Sequence, residues 1–171
     1  TLNTESSLAS GLLIQRLTEL YEDPIVAVVR ETVSNALDAN AESGKKDKII
    51  NIETPTILNP IFSVQDNGIG MSYEDLVNVY SKYGASTKQN NFDQVGAYGL
   101  GAKSPLAYTN QFTVSSVKNG EKTTVLIIRE EMTNYMKIVE KQSTEEESGT
   151  KISVPVNSND IERFSETAAL Y

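Results

Sequence analysis

The sequence predicts an α+β domain, with helices first and an antiparallel meander after them. Three observations carry this. The stretch from Ile25 to about Ala41 repeats its apolar residues at helical spacing. After Asn110 the apolar period falls towards two. Asn119-Gly120 then sits between two alternating runs, the strongest short hairpin signal.

The elements follow in order. Ser10 is expected to cap a helix running from Leu12 to Tyr21. Asp23-Pro24 is a start signal, with a capping carboxylate and a proline at the first helical position. The helix from Ile25 should end near Gly44, and Lys45 to Lys48 reads as a solvated loop. Ile49 to Glu53 and Ile61 to Gln65 read as short strands. Asp66 to Gly70 is a glycine-punctuated loop, and Ser72 to Asp75 is a capping-box pattern opening a helix to about Tyr83. Gly84 to Val95 is polar, Gly96 to Gly101 is glycine-rich, and a short helix follows. Phe112 to Val117, Thr123 to Arg129, Tyr135 to Lys141 and Lys151 to Val156 read as a meander of strands. A last helix starts near Asn159-Asp160. Glu145 to Glu147 reads as a solvated hairpin tip.

Composition excludes several classes. The 171 residues suit one domain, spanning 1–171. There is no cysteine, so neither a disulfide framework nor a cysteine-ligated zinc is available. There is no histidine, which removes the Ser-His-Asp triad, histidine-ligated metals and a phosphohistidine acceptor. Lys plus Arg is 15 against 23 Asp plus Glu, a formal charge of −8. That balance argues against direct nucleic-acid binding by this segment, since such a grip is mostly phosphate neutralisation. No apolar run nears the ~20 residues that span a bilayer, and no signal peptide opens the chain. The expectation is a soluble cytoplasmic protein. The chain opens on Thr1, not Met, and is expected to be part of something longer.

One helix and two loops carry candidate chemistry. With Glu31 at zero and 100° per residue, Asn35 falls near 40° and Asp38 near −20°. Ile25, Val29, Val33 and Ala36 lie on the opposite side, with Val26 and Leu37 a little beyond. The polar row holds carboxylate, amide and carboxylate with no lysine, which suits a hard cation better than an ordinary wet face. Asp66-Asn67-Gly68-Ile69-Gly70-Met71 places an acid at a strand end beside glycines that let a ligand approach the backbone. It lacks the acidic series of a calcium loop. Gly96 to Ser104 is neither a Walker A loop, since Ala102 separates Gly101 from Lys103, nor a dinucleotide fingerprint, since position 104 is Ser. It remains a flexible loop feeding a helix N-terminus, a phosphate site by backbone N–H groups and dipole.

Together E-x-x-x-N-A-x-D-A at Glu31–Ala39, D-x-G-x-G at Asp66–Gly70, G-x-x-G-x-G at Gly96–Gly101 and Gly149-Thr150 opening a strand resemble the Bergerat-fold (GHKL) ATPases. That superfamily includes gyrase B, MutL, the large heat-shock chaperones and sensor kinases. The resemblance implies a two-layer α+β sandwich, with a mixed, mostly antiparallel sheet and helices on one face. Ala27 to Glu31 and Tyr98 to Thr109 are most similar to the N-terminal part of the rIIA-type proteins of large lytic phages.

By position, the resemblance implies that Glu31 polarises the attacking water and that Asn35 holds Mg²⁺, with Asp38 on the same face. Asp66 would accept a hydrogen bond from the adenine amine, and Thr150 would support it, directly or through water. Gly68, Gly70 and Met71 would lie against the nucleotide. Gly99, Leu100, Gly101 and Ala102 would cradle the phosphates, with Lys103 as an extra contact. Lys88 resembles a basic residue of the lid. Ser72 to Gly96 would be the lid itself, and residues 72–103 the lid with its glycine-rich loop. Sensor kinases lack a Glu31-type base and need a histidine acceptor; this chain has the former and not the latter. Gyrase B, MutL and the chaperones use a following domain that delivers a cation, and these residues do not include one.

The expected function is Mg-dependent ATP binding with slow hydrolysis, in a nucleotide-gated switch of a phage rIIA-like protein. The alternatives are a non-hydrolysing ATP-gated interaction module and an acidic phage protein that binds a host factor. The expected partners are ATP, a second copy that associates only with ATP, and a protein of host origin; the expected compartment is the host cytoplasm.

Overall fold

The computed structural model describes residues 22–80, 101–130 and 133–171. Helix α1 spans Pro24–Glu42. It begins where the sequence placed it: the Asp23 carboxylate accepts from the Val26 N–H at 3.3 Å, and Pro24 occupies the first turn. The other oxygen of Asp23 takes Arg163, so the cap also ties α1 to the last helix. Gly44, with φ +74°, lies just past the end.

A six-stranded sheet follows: β1 Asn51–Glu53, β2 Ile61–Gln65, β3 Gln111–Lys118, β4 Glu121–Glu130, β5 Thr133–Ser143 and β6 Gly149–Pro155. The spatial order is β1-β2-β6-β3-β4-β5. Every described pairing is antiparallel, so the parallel component expected of a mixed sheet does not occur among these strands. Asn119 and Gly120, with φ 51° and 75°, make the β3–β4 turn, as two left-handed residues in a tight hairpin must. β1 is shorter than expected. Ile49 is 87% exposed and stays outside the sheet, because the chain reaches β2 only from Asn51, opposite Gln65.

Register explains the core. Phe62 faces Val154, Val64 faces Ile152, Val114 faces both Ile152 and Val125, and Phe112 faces Ile127. All eight therefore share one face. Ile25, Val28, Val29, Val33 and Ala36 of α1, Leu76 and Tyr80 of α2 (Tyr73–Tyr80) and Phe164 and Ala168 of α3 (Ile161–Ala168) pack on it as one cluster. Phe164 sits between Phe62 and Tyr108, at ring distances of 5.4 and 5.0 Å. Burying such rings contributes about 1.5–3 kcal/mol each. Leu37, read from the helical wheel as bordering the apolar face, is 53% exposed, because the sheet covers a narrower arc than the wheel allotted. Towards one end of the core face the residues turn polar: Ser116, Thr123 and Thr150 face one another across β4, β3 and β6, all buried.

No helix among the described residues is long and apolar enough to cross a membrane. The expected helix of Leu12–Tyr21 lies outside the described residues.

Candidate functional site

Asp66 leaves β2 at the polar end of the core face. Its backbone N–H donates to the Thr150 carbonyl at 2.9 Å, continuing the β2–β6 ladder by one step. Its Oδ1 accepts two backbone amides, Gly68 at 2.8 Å and Thr150 at 3.0 Å. Thr150 thus supports Asp66 through its main chain. Burial pushes the Asp66 carboxyl above the usual carboxylate range, and the two amides work against that rise. With Oδ1 committed, Oδ2 is the oxygen left to meet a ligand.

The loop after Asp66 is bolted on three sides. The buried Asn40, on the last turns of α1, accepts the Asn67 N–H at 2.6 Å and donates to the Lys48 carbonyl at 2.8 Å. Gly68 lies against α1 so closely that a Cβ would stand 3.0 Å from that of Ala39. Gly70, at φ +75°, crosses the end of β3, where any Cβ would land on the Val117 carbonyl. Met71 N–H donates to Ser116 Oγ at 2.7 Å. The capping box then starts α2: Ser72 N–H donates to Asp75 at 2.9 Å and Asp75 N–H to the Ser72 hydroxyl at 3.1 Å. Lys118 Nζ, 2.6 Å from Asp75, draws that carboxyl below its usual range and ties α2 to β3.

The other end of the site is on the same helix. Glu31 is mostly covered, with Arg30 Nε 3.9 Å from its Oε1. Gly101 lies directly over this part of α1. A Cβ there would stand 2.8 Å from Glu31 Oε2 and within 3.8 Å of both polar atoms of the Asn35 amide. Gly101 therefore lies with its backbone against the two residues of the motif, where any Cβ would press on the carboxylate end of Glu31. Asn35 and Asp38 are exposed on the same side, Asp38 towards the Asp66 end. Ala102 is half-buried, and Lys103 and Ser104 are buried at the start of the 3₁₀ turn Ser104–Ala107. Burial lowers the Lys103 ammonium from its usual range.

Lys88, Gly96, Gly99 and Leu100 lie outside the described residues, as does most of the expected lid. Of the remaining site residues, the structure gathers Asp66, Gly68, Gly70, Met71 and Thr150 at one end and Glu31, Asn35 and Gly101 at the other. Asn40 and Ser116 are additions. Both had a sequence signal: each is a polar residue at a position that periodicity assigns to the core, Asn40 near 180° from Glu31 on the wheel and Ser116 in phase with Phe112 and Val114.

Comparison with known proteins points the same way. Residues 23–163 match the family described as histidine kinase-, DNA gyrase B- and HSP90-like ATPase. The chaperone protein HtpG of Borrelia garinii subsp. bavariensis is 30% identical over 154 residues, which is 78% of this chain and 24% of HtpG. The DNA mismatch repair protein MutL of Neorickettsia sennetsu is 35% identical over 107 residues, 60% of this chain and 15% of MutL. A component of type 2 DNA topoisomerase 6 from Saccharolobus islandicus is 32% identical over 112 residues, 61% of this chain and 21% of that protein. The chain thus spans a quarter or less of the length of these relatives. With the acid loop, the paired Glu31 and Asn35 and the glycine laid over them in one six-stranded α+β domain, this chain belongs to the histidine kinase-, DNA gyrase B- and HSP90-like ATPase family.

Proposed function

We propose that the chain binds Mg·ATP along α1 and hydrolyses it slowly, and that nucleotide occupancy acts as a switch in a phage rIIA-like protein. One observation carries the site: both of its ends are mounted on a single helix. Asn40 and Ala39 hold the Asp66 loop, and Glu31 and Asn35 lie under Gly101. The nine-residue separation of Glu31 and Asn40 corresponds to about 14 Å of helix at 1.5 Å per residue. That suits a nucleotide with its base at Asp66 and its last phosphate at Glu31.

The base end reads adenine by polarity. An ionised Asp66 Oδ2 only accepts, adenine offers an N–H₂ and guanine a carbonyl oxygen at the equivalent position. At the phosphate end Glu31 is the general base, taking a proton from a water aimed at the terminal phosphorus. Asn35 fits a magnesium ion. It contributes one neutral oxygen, and among the described residues no group of three acidic side chains could cage a metal. Such a site suits an ion that keeps its waters and takes its remaining ligands from phosphate. When bound, the ion would neutralise charge on the phosphates. The rIIA-like relationship is supported by Ala27–Glu31 and the stretch from Tyr98 to Thr109.

The test separates binding from chemistry. Glu31→Ala should bind ATP within a few-fold of wild type and release phosphate at least ~100-fold more slowly. Asn35→Ala should lose both properties. Nucleotide titration beside phosphate release reads both. A wild type that binds ATP yet releases no phosphate above the Glu31→Ala background would replace this reading with a non-hydrolysing ATP-gated module.

A further inference from the structure

The segment from Gly101 to Tyr108 is bonded along its length. Ser104 N–H donates to the Gly101 carbonyl at 3.1 Å, Leu106 N–H to Lys103 at 3.0 Å and Tyr108 N–H to Pro105 at 3.0 Å. Leu106 is buried in the core, and the ring of Pro105 fixes its own φ. Gly101 and Tyr108 are therefore the two ends of one stiff piece. The first lies over Glu31 and Asn35. The second is held from outside the piece. Its hydroxyl accepts the Asn157 N–H at 2.9 Å and donates to Asp160 Oδ2 at 2.6 Å, and its ring stands edge-on to Phe164 at 5.0 Å. Neither Asn157, before the 3₁₀ turn Ser158–Asp160, nor Asp160, before α3, makes a capping bond with its side chain. Such residues at such positions ordinarily accept an amide of the following turn. The Asp160 carboxylate goes to Tyr108 instead. Burial, with that carboxylate, pushes the Tyr108 hydroxyl up to about 12, so it keeps its proton through the neutral range. Both partners are themselves anchored. Asn157 follows Val156, whose N–H donates to the Pro60 carbonyl at 2.8 Å, and α3 is clipped to the start of α1 by Arg163 and Asp23.

We infer that Tyr108 is a positioning residue for hydrolysis: bonded to Asp160 and Asn157, its hydroxyl pins the far end of the turn and so sets where Gly101 lies over Glu31. The inference rests on the reading of Glu31 as the general base. Gly101 leaves the Glu31 carboxylate little room, since a Cβ there would stand 2.8 Å from Oε2. A turn released at Tyr108 lets Gly101 shift, and the carboxylate then spends less time aimed at the attacking water. Misplacing a base costs rate more than ground-state binding. The Asp66 end of the nucleotide site shares no residue with this turn.

The experiment measures phosphate release at saturating Mg·ATP and ATP affinity by calorimetric titration, with thermal unfolding of each protein. The set is wild type, Glu31→Ala, Tyr108→Phe, Asp160→Ala, Asp160→Asn and the Tyr108→Phe/Asp160→Ala double variant. Tyr108→Phe keeps the ring against Phe164 and should fold; where it does not, Asp160→Ala breaks the same bond from the other side. Each of these two should release phosphate about fivefold more slowly, on the scale of one ordinary hydrogen bond. Each should bind ATP within about twofold of wild type, since the loss falls on the chemical step. Asp160→Asn, which keeps an acceptor for the phenol, should retain turnover. The double variant should be no slower than either single one, because the two side chains act as one unit. A purely structural role moves the melting temperature and leaves turnover at saturating ATP unchanged, or lowers turnover and affinity by one factor. Either result, or a loss in Asp160→Asn equal to that in Asp160→Ala, overturns the inference alone, provided that Glu31→Ala abolishes turnover. A wild type that releases no phosphate, or a Glu31→Ala variant that releases it as fast, overturns the reading of Glu31 and the inference with it.

Discussion

Asp66→Asn should preserve the fold and lose the nucleotide. The two amides at 2.8 and 3.0 Å require an acceptor, so the new side chain must turn its oxygen towards Gly68 and Thr150. Its Nδ2 is then forced to the Oδ2 position, where a donor meets the donor of adenine. One charge-assisted hydrogen bond is lost, about 1.5–3 kcal/mol. At about 1.4 kcal/mol per decade this weakens ATP binding about 10- to 100-fold. Stability moves the other way. The folded carboxyl has a raised pKa, so folding favours the protonated acid, and the ionised form is a cost at neutral pH that is relieved as pH falls through the folded value. The amide carries no such charge. Asp66→Asn should therefore unfold at or above the wild-type temperature at neutral pH, with the advantage shrinking as the pH drops into the carboxylate range. Calorimetric titration with ATP and thermal unfolding across pH test both halves. ATP binding within threefold of wild type, or a neutral-pH melting point well below it, would refute the reasoning.

Two further substitutions probe the ends of α1. Asn40→Ala takes away the partner of the part-buried Asn67 N–H and of the Lys48 carbonyl; it should destabilise the domain by about 1 kcal/mol in urea unfolding. Asn40→Asp should not rescue it, because a carboxylate there faces the Lys48 carbonyl with no proton to donate. Gly101→Ala places a Cβ 2.8 Å from Glu31 Oε2, the far end of a flexible side chain, so the fold should survive while the carboxylate moves. Phosphate release should fall at least ~10-fold with an unchanged melting temperature, and unimpaired turnover would show that Gly101 does not constrain the base.

The elements with local signals were legible from the sequence. Asp23-Pro24, Ser72 to Asp75 and Asn119-Gly120 are each a handful of residues whose side-chain or backbone preference decides the structure alone, and each occurs as read. The strand pattern marked the core face too, since Phe112, Val114, Val125 and Ile127 keep period two. What periodicity does not carry is which strands are neighbours. β6 sits between β2 and β3, so partners such as Phe62 and Val154 are more than ninety residues apart. The edge of the helical face was misread for the same reason: Leu37 is apolar, but only the tertiary neighbours decide whether something covers it.

The site divides along the same line. Glu31 and Asn35 could be placed on one face by arithmetic within a single helix, and Asp66 could be placed at a strand end. That Gly101 comes to lie on Glu31 depends on a contact across seventy residues of chain, and no local rule supplies it. Between the two cases stand Asn40 and Ser116. Each breaks the apolar period at a buried position, and a buried polar side chain must find partners or cost stability. Both find theirs in the main chain of the Asp66–Met71 loop, Asn67 N–H for Asn40 and Met71 N–H for Ser116. A side chain that holds a loop by its backbone leaves the loop's own side chains free for another use. These two polar exceptions to core periodicity therefore point to the loop that carries Asp66, which neither pattern of apolar residues could locate.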